Sequence, residues 1–167
     1  MSRSWIAAGL AMLALAACDT EASREREAAA QWVELQYTML DSVNALRAVS
    51  GVPPVAWDSR LAAAAQDHAV DIARQERPWA WGTDRSNPED RLVRWGYPGT
   101  LIGEIYSQTV SINFEPLSAW LDDPNWRNVI LNEDATSFGF AFETHPNQNV
   151  FWVLNMAELR TLEPVIN

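Results

Sequence analysis

The sequence predicts an α+β domain in which helices pack on a small antiparallel sheet. Three observations carry the prediction. Apolar residues recur at helical spacing through the first half of the chain. Three short stretches in the second half have strand character, and residues 137–142 set Phe138, Phe140 and Phe142 against small neighbours. The last two stretches are joined by the turn-forming segment His145-Pro146-Asn147-Gln148-Asn149, which makes them an antiparallel hairpin.

The elements follow in order. Residues 28–49 form a helix whose inner stripe is Val33, Tyr37, Leu40, Val43, Leu46 and Val49, and Gly51 with Pro53-Pro54 stops it. An extended crossing segment comes next. Asp58 or Ser59 caps a second helix, to about Gln75, with Leu61, Ala64, Ala65, His68, Ala69 and Ile72 inward. Residues 76–87 are a loop by composition, and Pro88 fits the first turn of a short helix carrying Arg91, Leu92 and Trp95, ended by Gly96. The strands are expected at 102–109, 137–144 and 150–156, with a helix at 114–121 and a short helical turn at 125–131.

The ends and the charge narrow the function classes. Arg3, the apolar run 5–17 and Leu15-Ala16-Ala17-Cys18 have the form of a bacterial lipoprotein signal, so residues 1–17 are expected to be removed and Cys18 lipidated. Residues 18–27 then serve as a tether and 28–167 as one domain. The expected location is the cell envelope, lipid-anchored, in the periplasm or on the outer face of the cytoplasmic membrane. Cys18 is the only cysteine, so no intrachain disulfide exists. Acidic residues outnumber basic ones by ten and every base is arginine. That balance excludes nucleic acid, whose phosphates need a basic patch, and leaves the lipid anchor as the means of membrane association.

Several segments resemble the CAP superfamily (cysteine-rich secretory proteins, antigen 5 and pathogenesis-related proteins) in its cysteine-poor bacterial form. Residues 118–132 are similar to its A-x-x-x-W-x-x-S-x-x-H-R-x-N-I-L-N signature, keeping Trp120, Arg127, Ile130, Leu131 and Asn132. Asn44 to Arg47 and the Gly51 to Asp58 segment resemble the family's opening motif. Leu61, Ala65, His68 and Ala69 fit its second helix, Arg91 with Gly96-Tyr97 its R-x-x-x-x-G-Y, Gly103-Glu104-Ile105 its G-E-N, and Phe151-Trp152-Val153 its last strand. The resemblance implies a three-layer α-β-α sandwich and a cleft of two histidines and two acidic residues that binds divalent metal in some members.

The cleft motif departs from that pattern. Glu104 is kept and Asp123 falls at the second acidic position, but the histidine positions hold Trp81 and Trp126 and two flanking asparagines have become Ile105 and Val129. An indole N–H donates a hydrogen bond and offers no lone pair to a metal. No metal site and no cofactor are therefore expected. The expected ligand cleft is Trp81, Glu104, Ile105, Asp123, Trp126 and Val129. Three functions remain open: a non-catalytic domain binding an envelope polymer, an apolar ligand or a protein; a hydrolase using Glu104 and Asp123 as paired carboxylates; or a structural envelope domain. Each residue also has a structural role available. Glu104 can pair with an arginine, Asp123 can cap the Trp126 turn, and the two indoles can pack on the helix wall.

The Cys18→Ser substitution should release the protein from the membrane fraction and abolish an acyl adduct in the mass spectrum. A variant that stays membrane-bound would refute the anchor.

Overall fold

The computed structural model describes residues 4–110, 112 and 115–159; the side chains of residues 1–21, Cys18 among them, lie outside the described residues, as does Phe114. Helix α1 spans Ser4–Val49. It begins well before the expected residue 28 because no glycine or proline interrupts residues 10–50, which are rich in Ala, Leu, Glu and Arg. The chain divides into two compact units, residues 1–38 and 39–167. The first contributes helix alone, and the second holds everything that follows.

In the second unit the order is β1 (Ala56–Trp57), α2 (Ser59–Gln75), α3 (Pro88–Arg94), β2 (Thr100–Thr109), α4 (Glu115–Asp122), α5 (Pro124–Ile130), β3 (Ser137–Thr144) and β4 (Val150–Glu158). Asp58 caps α2 by accepting from the Arg60 and Leu61 amides, and all six expected inner residues of α2 are buried. Asn87 and Asp90 close a capping box at α3, with Pro88 at its first turn.

The four strands run β1-β3-β4-β2. The sheet is mixed, since β1 pairs parallel with β3 while the other pairs are antiparallel. A two-residue strand has no periodicity to read, which is why the sequence shows β1 only as an extended crossing. Its partner β3 is covered on both faces rather than half-buried. On one side Phe140 stacks on Trp152 with ring centroids 5.9 Å apart. On the other α2 lies so close that a Cβ on Gly139 would collide with the Leu61 and Ala62 backbone.

Register assigns the two helical layers, because residues opposite one another in paired strands share a face. Gly139, Asn155 and Glu104 form one row across the sheet beneath α2, where Asn155 Nδ2 donates to the Leu61 carbonyl. Phe140, Leu154 and Ile105 form the adjacent row on the opposite face. There Trp120 of α4 donates to Ser107 Oγ at 3.0 Å, and Val129 of α5 fills the space above Gly103. The fold is the three-layer α-β-α arrangement.

The stripe expected to bury α1 is only partly correct. Val43 is buried, but Val33, Tyr37 and Val49 are exposed, and the inward residues are Met39, Val43 and Arg47 at steps of four. Hydropathy assigns Arg47 to solvent, whereas four backbone carbonyls draw it in. Arg47 donates to Pro53 at 2.7 Å, Ile130 at 2.6 Å, Asn132 at 3.0 Å and Ala135 at 3.1 Å. It thus joins the end of α1 to the segment before β1 and to the loop leaving α5. Asn44 adds a two-bond clamp on the Val55 backbone.

Arg47→Ala should destabilise the protein by about 3–5 kcal/mol, the scale for unpairing buried polar groups. Arg47→Lys should recover little of this, since an ammonium has three donors for a planar array that uses four. Urea denaturation of the three proteins measures both.

Candidate functional site

Glu104 lies mid-strand in β2 with its side chain 1% exposed. Its Oε1 accepts from Arg91 Nη2 at 2.7 Å. The same guanidinium donates to the Ala80 carbonyl at 3.0 Å and the Ser86 carbonyl at 3.1 Å, so Arg91 binds the 80–86 loop to the sheet. Burial pushes Glu104 up to about 7, with Arg91 pulling it back.

His68, on the inner face of α2, stands beside this pair, with Nε2 3.5 Å from Glu104 Oε1. The shorter contact is to the Trp79 carbonyl at 2.8 Å. A carbonyl only accepts, so Nε2 carries the ring proton and Nδ1 is left with a free lone pair. Burial first, and the positive charge of Arg91 second, lower His68 to about 4 and keep it neutral. Three buried atoms of this cluster have no hydrogen-bond partner: His68 Nδ1, Arg91 Nε and Glu104 Oε2.

Beside the cluster a cavity of about 270 Å³ opens between α2, the following loop and α3. Asp67, His68 and Asp71 reach it from α2, Thr83 and Asp84 from the loop, and Arg91 from α3. Asp71 is oriented by the Thr83 amide and hydroxyl, both at 2.7 Å. Hydrogen bonds from Ser86, with Arg94 behind them, hold Asp84 well below the ordinary carboxylate range. Asp67 accepts from the Trp95 indole at 2.7 Å.

The residues expected to form one cleft occupy different places. Glu104 and Ile105 are neighbours in a strand and face opposite layers. Ile105 is fully buried on the side of α4 and α5, where Val129 packs at Gly103. Asp123 caps α5, accepting from the Asn125 amide at 2.8 Å. Trp126 is half-buried on α5, and Trp81 is 50% exposed with its carbonyl accepting from Gln75. None of the six lines the 270 Å³ cavity, nor a second one of about 420 Å³ between the end of β2 and α4. Among the described residues no three of His, Cys, Asp and Glu gather in a metal-binding group. The sequence reading missed Asp67, Asp71 and Asp84. The first two stand four apart and flank His68, a spacing that puts both on one helix side. Asp84 depends on the loop's path and gives no such signal.

The cysteine-rich secretory protein (CAP) family profile matches residues 40–156. Three bacterial structures share the fold. An outer surface protein from Borrelia burgdorferi is 16% identical with a TM-score of 0.68, over 74% of this chain and 92% of that one. An extracellular protein containing a SCP domain from Bacillus anthracis is 24% identical with a TM-score of 0.69, over 76% of this chain and 41% of that one. A cysteine-rich secretory protein from Staphylococcus aureus is 16% identical with a TM-score of 0.56, over 77% of this chain and 39% of that one. The present chain therefore spans less than half of the last two. No curated protein matches the sequence.

The buried cluster sets a pH dependence of stability. His68 is lowered on folding, so its contribution is complete above pH 6.5 and is lost as pH falls toward 4. Glu104 is raised, so its contribution is complete below about 4.5 and is lost as pH rises toward 7. The two oppose each other in between. His68→Gln should remove the acid-side loss and leave Glu104 unopposed, so that on going from pH 6.5 to 4 the variant gains about 3 kcal/mol relative to the parent. Urea midpoints at the two pH values test this, and parallel shifts of parent and variant would refute it.

Proposed function

Because the chain belongs to the cysteine-rich secretory protein (CAP) family, and a fold does not dictate an activity, we propose that it acts by binding. In this reading it is a lipid-anchored envelope domain, held through Cys18, that captures an envelope component without a metal or a covalent step. One observation carries the reading. Glu104, the acidic residue retained from the cleft motif, is enclosed and committed to Arg91, whereas a general acid must come within hydrogen-bonding reach of its substrate. Asp123, its partner in the hydrolase reading, is engaged as a helix cap. The acidic, lysine-free surface and the outer-surface and extracellular descriptions of the bacterial relatives support an envelope location.

The hydrolase reading keeps one favourable feature. A carboxyl group raised to about 7 has the acidity that a general acid needs near neutral pH. Its position beneath α2, paired to a guanidinium, opposes that use.

Incubating the full-length protein with isolated cell-wall polymer separates the readings. Co-sedimentation with the polymer left intact is expected. Release of reducing ends or free amines that stops in Glu104→Gln would establish the hydrolase instead, and neither binding nor release would leave the structural role.

A further inference from the structure

Strand β2 closes one side of the sheet, and among the described strands its outer edge has no partner. Proteins commonly blunt such an edge by keeping it short or by placing lysine or proline on it. β1, on the opposite side, is two residues long, whereas β2 has ten residues and neither lysine nor proline. Its one charged side chain, Glu104, is turned beneath α2. The edge is open at mid-strand. Glu104 as a residue is half-buried while its side chain is 1% exposed, so the surface it shows is backbone. Ile105 beside it is fully buried. Alternate residues of an antiparallel pair turn their amides and carbonyls toward and away from the partner strand. Ile105, Ser107 and Thr109 therefore face β4, and Glu104, Tyr106 and Gln108 present their backbone groups outward.

The cavity of about 420 Å³ follows this edge. Ser107, Gln108 and Thr109 line one side of it, and Pro116, Ala119 and Asp122 of α4 the other. Consecutive strand residues point to opposite faces, and no residue of β4 reaches the cavity, so it lies along the outer margin of β2 and not over the sheet. Its strand wall is fixed from within: the Trp120 indole donates to Ser107 Oγ at 3.0 Å and the Trp152 indole to Thr109 Oγ1 at 2.8 Å. A row of outward backbone groups beside a helix suits another extended backbone, whose side chains alternately enter the groove and leave it.

Charge selects the partner. Asp122 is the one charged residue lining the groove, and among the described residues it makes no ion pair. Arg127 is turned to the Leu121 carbonyl and forms no part of the lining. A second copy of the chain would bring its own net charge of −10 against this one. We propose that the outer edge of β2 and the facing side of α4 form a strand-adding groove for an extended, basic segment of a partner protein. The proposal rests on the binding reading above and names a polypeptide as the partner.

The probe is the blocked hexapeptide Thr-Val-Arg-Val-Thr-Val, titrated into the full-length protein and followed by amide hydrogen exchange. At ten times its Kd it should slow exchange of the Glu104, Tyr106 and Gln108 amides by about tenfold and leave Ile105 and Ser107 unchanged. The same peptide with alternate amides N-methylated keeps its side chains but loses half its donors, and should protect none of them. Replacing its arginine by glutamate should weaken binding, and Asp122→Asn, at an exposed position, should weaken the arginine peptide by about threefold. Gln108→Pro removes an outward donor without touching the β4 ladder and should cost about tenfold in affinity. Unchanged exchange with the arginine peptide, or equal protection by the N-methylated one, would overturn the groove. So would protection of these amides without peptide: if it rises with protein concentration the edge belongs to a second copy, and if it does not, to the chain's own residues 160–167. The first titration uses the unsubstituted protein and decides the matter whether or not the variants fold. Cell-wall polymer that still co-sediments after such a failure would leave the binding reading standing and reject only this groove.

Discussion

The ion pair between Arg91 and Glu104 is the contact on which the site depends. Enclosing two opposite charges costs several kcal/mol of hydration apiece, and a single 2.7 Å contact does not by itself repay it. The guanidinium offsets the rest by donating to the carbonyls of Ala80 and Ser86. Those carbonyls belong to a segment with no regular structure, so the same group that compensates a buried carboxylate also secures the wall of the cavity. Its positive charge bears on His68 as well, adding to the larger effect of burial in keeping an imidazole so close to a glutamate neutral.

A second buried arginine solves a different problem on the other side of the sheet. Arg47 has no carboxylate among its hydrogen-bond partners and relies on four carbonyls, each carrying a partial negative charge at the end of a fixed dipole. Burial correspondingly lowers its affinity for its proton. In both places a planar fork with five donors gathers several backbone oxygens, from the nearby 80–86 loop at Arg91 and from residues 83 to 88 positions away at Arg47, a task to which a single ammonium is poorly suited. The absence of lysine from the whole chain agrees with that use.

How much of this was legible in the sequence follows the range of the forces involved. Helix α2 was readable in full because its cap at Asp58 and its inner stripe are local. The β3–β4 hairpin was readable from alternation and a turn-rich loop. The buried face of α1 was misread because Arg47 is drawn inward by carbonyls 83 to 88 residues away, a partner set that no window of hydropathy contains. The expected cleft took Glu104 and Ile105 together from the resemblance of Gly103-Glu104-Ile105 to a family motif, and the pleat of the strand turns the two side chains to opposite faces. Glu104 itself was legible as a residue of consequence, along with the option of an arginine partner. That the partner is Arg91 required the fold.

The strand order carries a consequence for synthesis. Among the described elements β4 comes last in the chain, yet it lies between β3 and β2 and pairs with both. Until its residues emerge from the ribosome, β2 has no neighbour among the described strands, and β3 has only the two-residue β1. The nascent chain can therefore form its helices early while the sheet stays open, and closure comes as one late event when residues 150–158 arrive. A strand that completes two pairings at once makes the fold nearly all-or-none with respect to chain length, so shortened products have no stable partial sheet in which to persist.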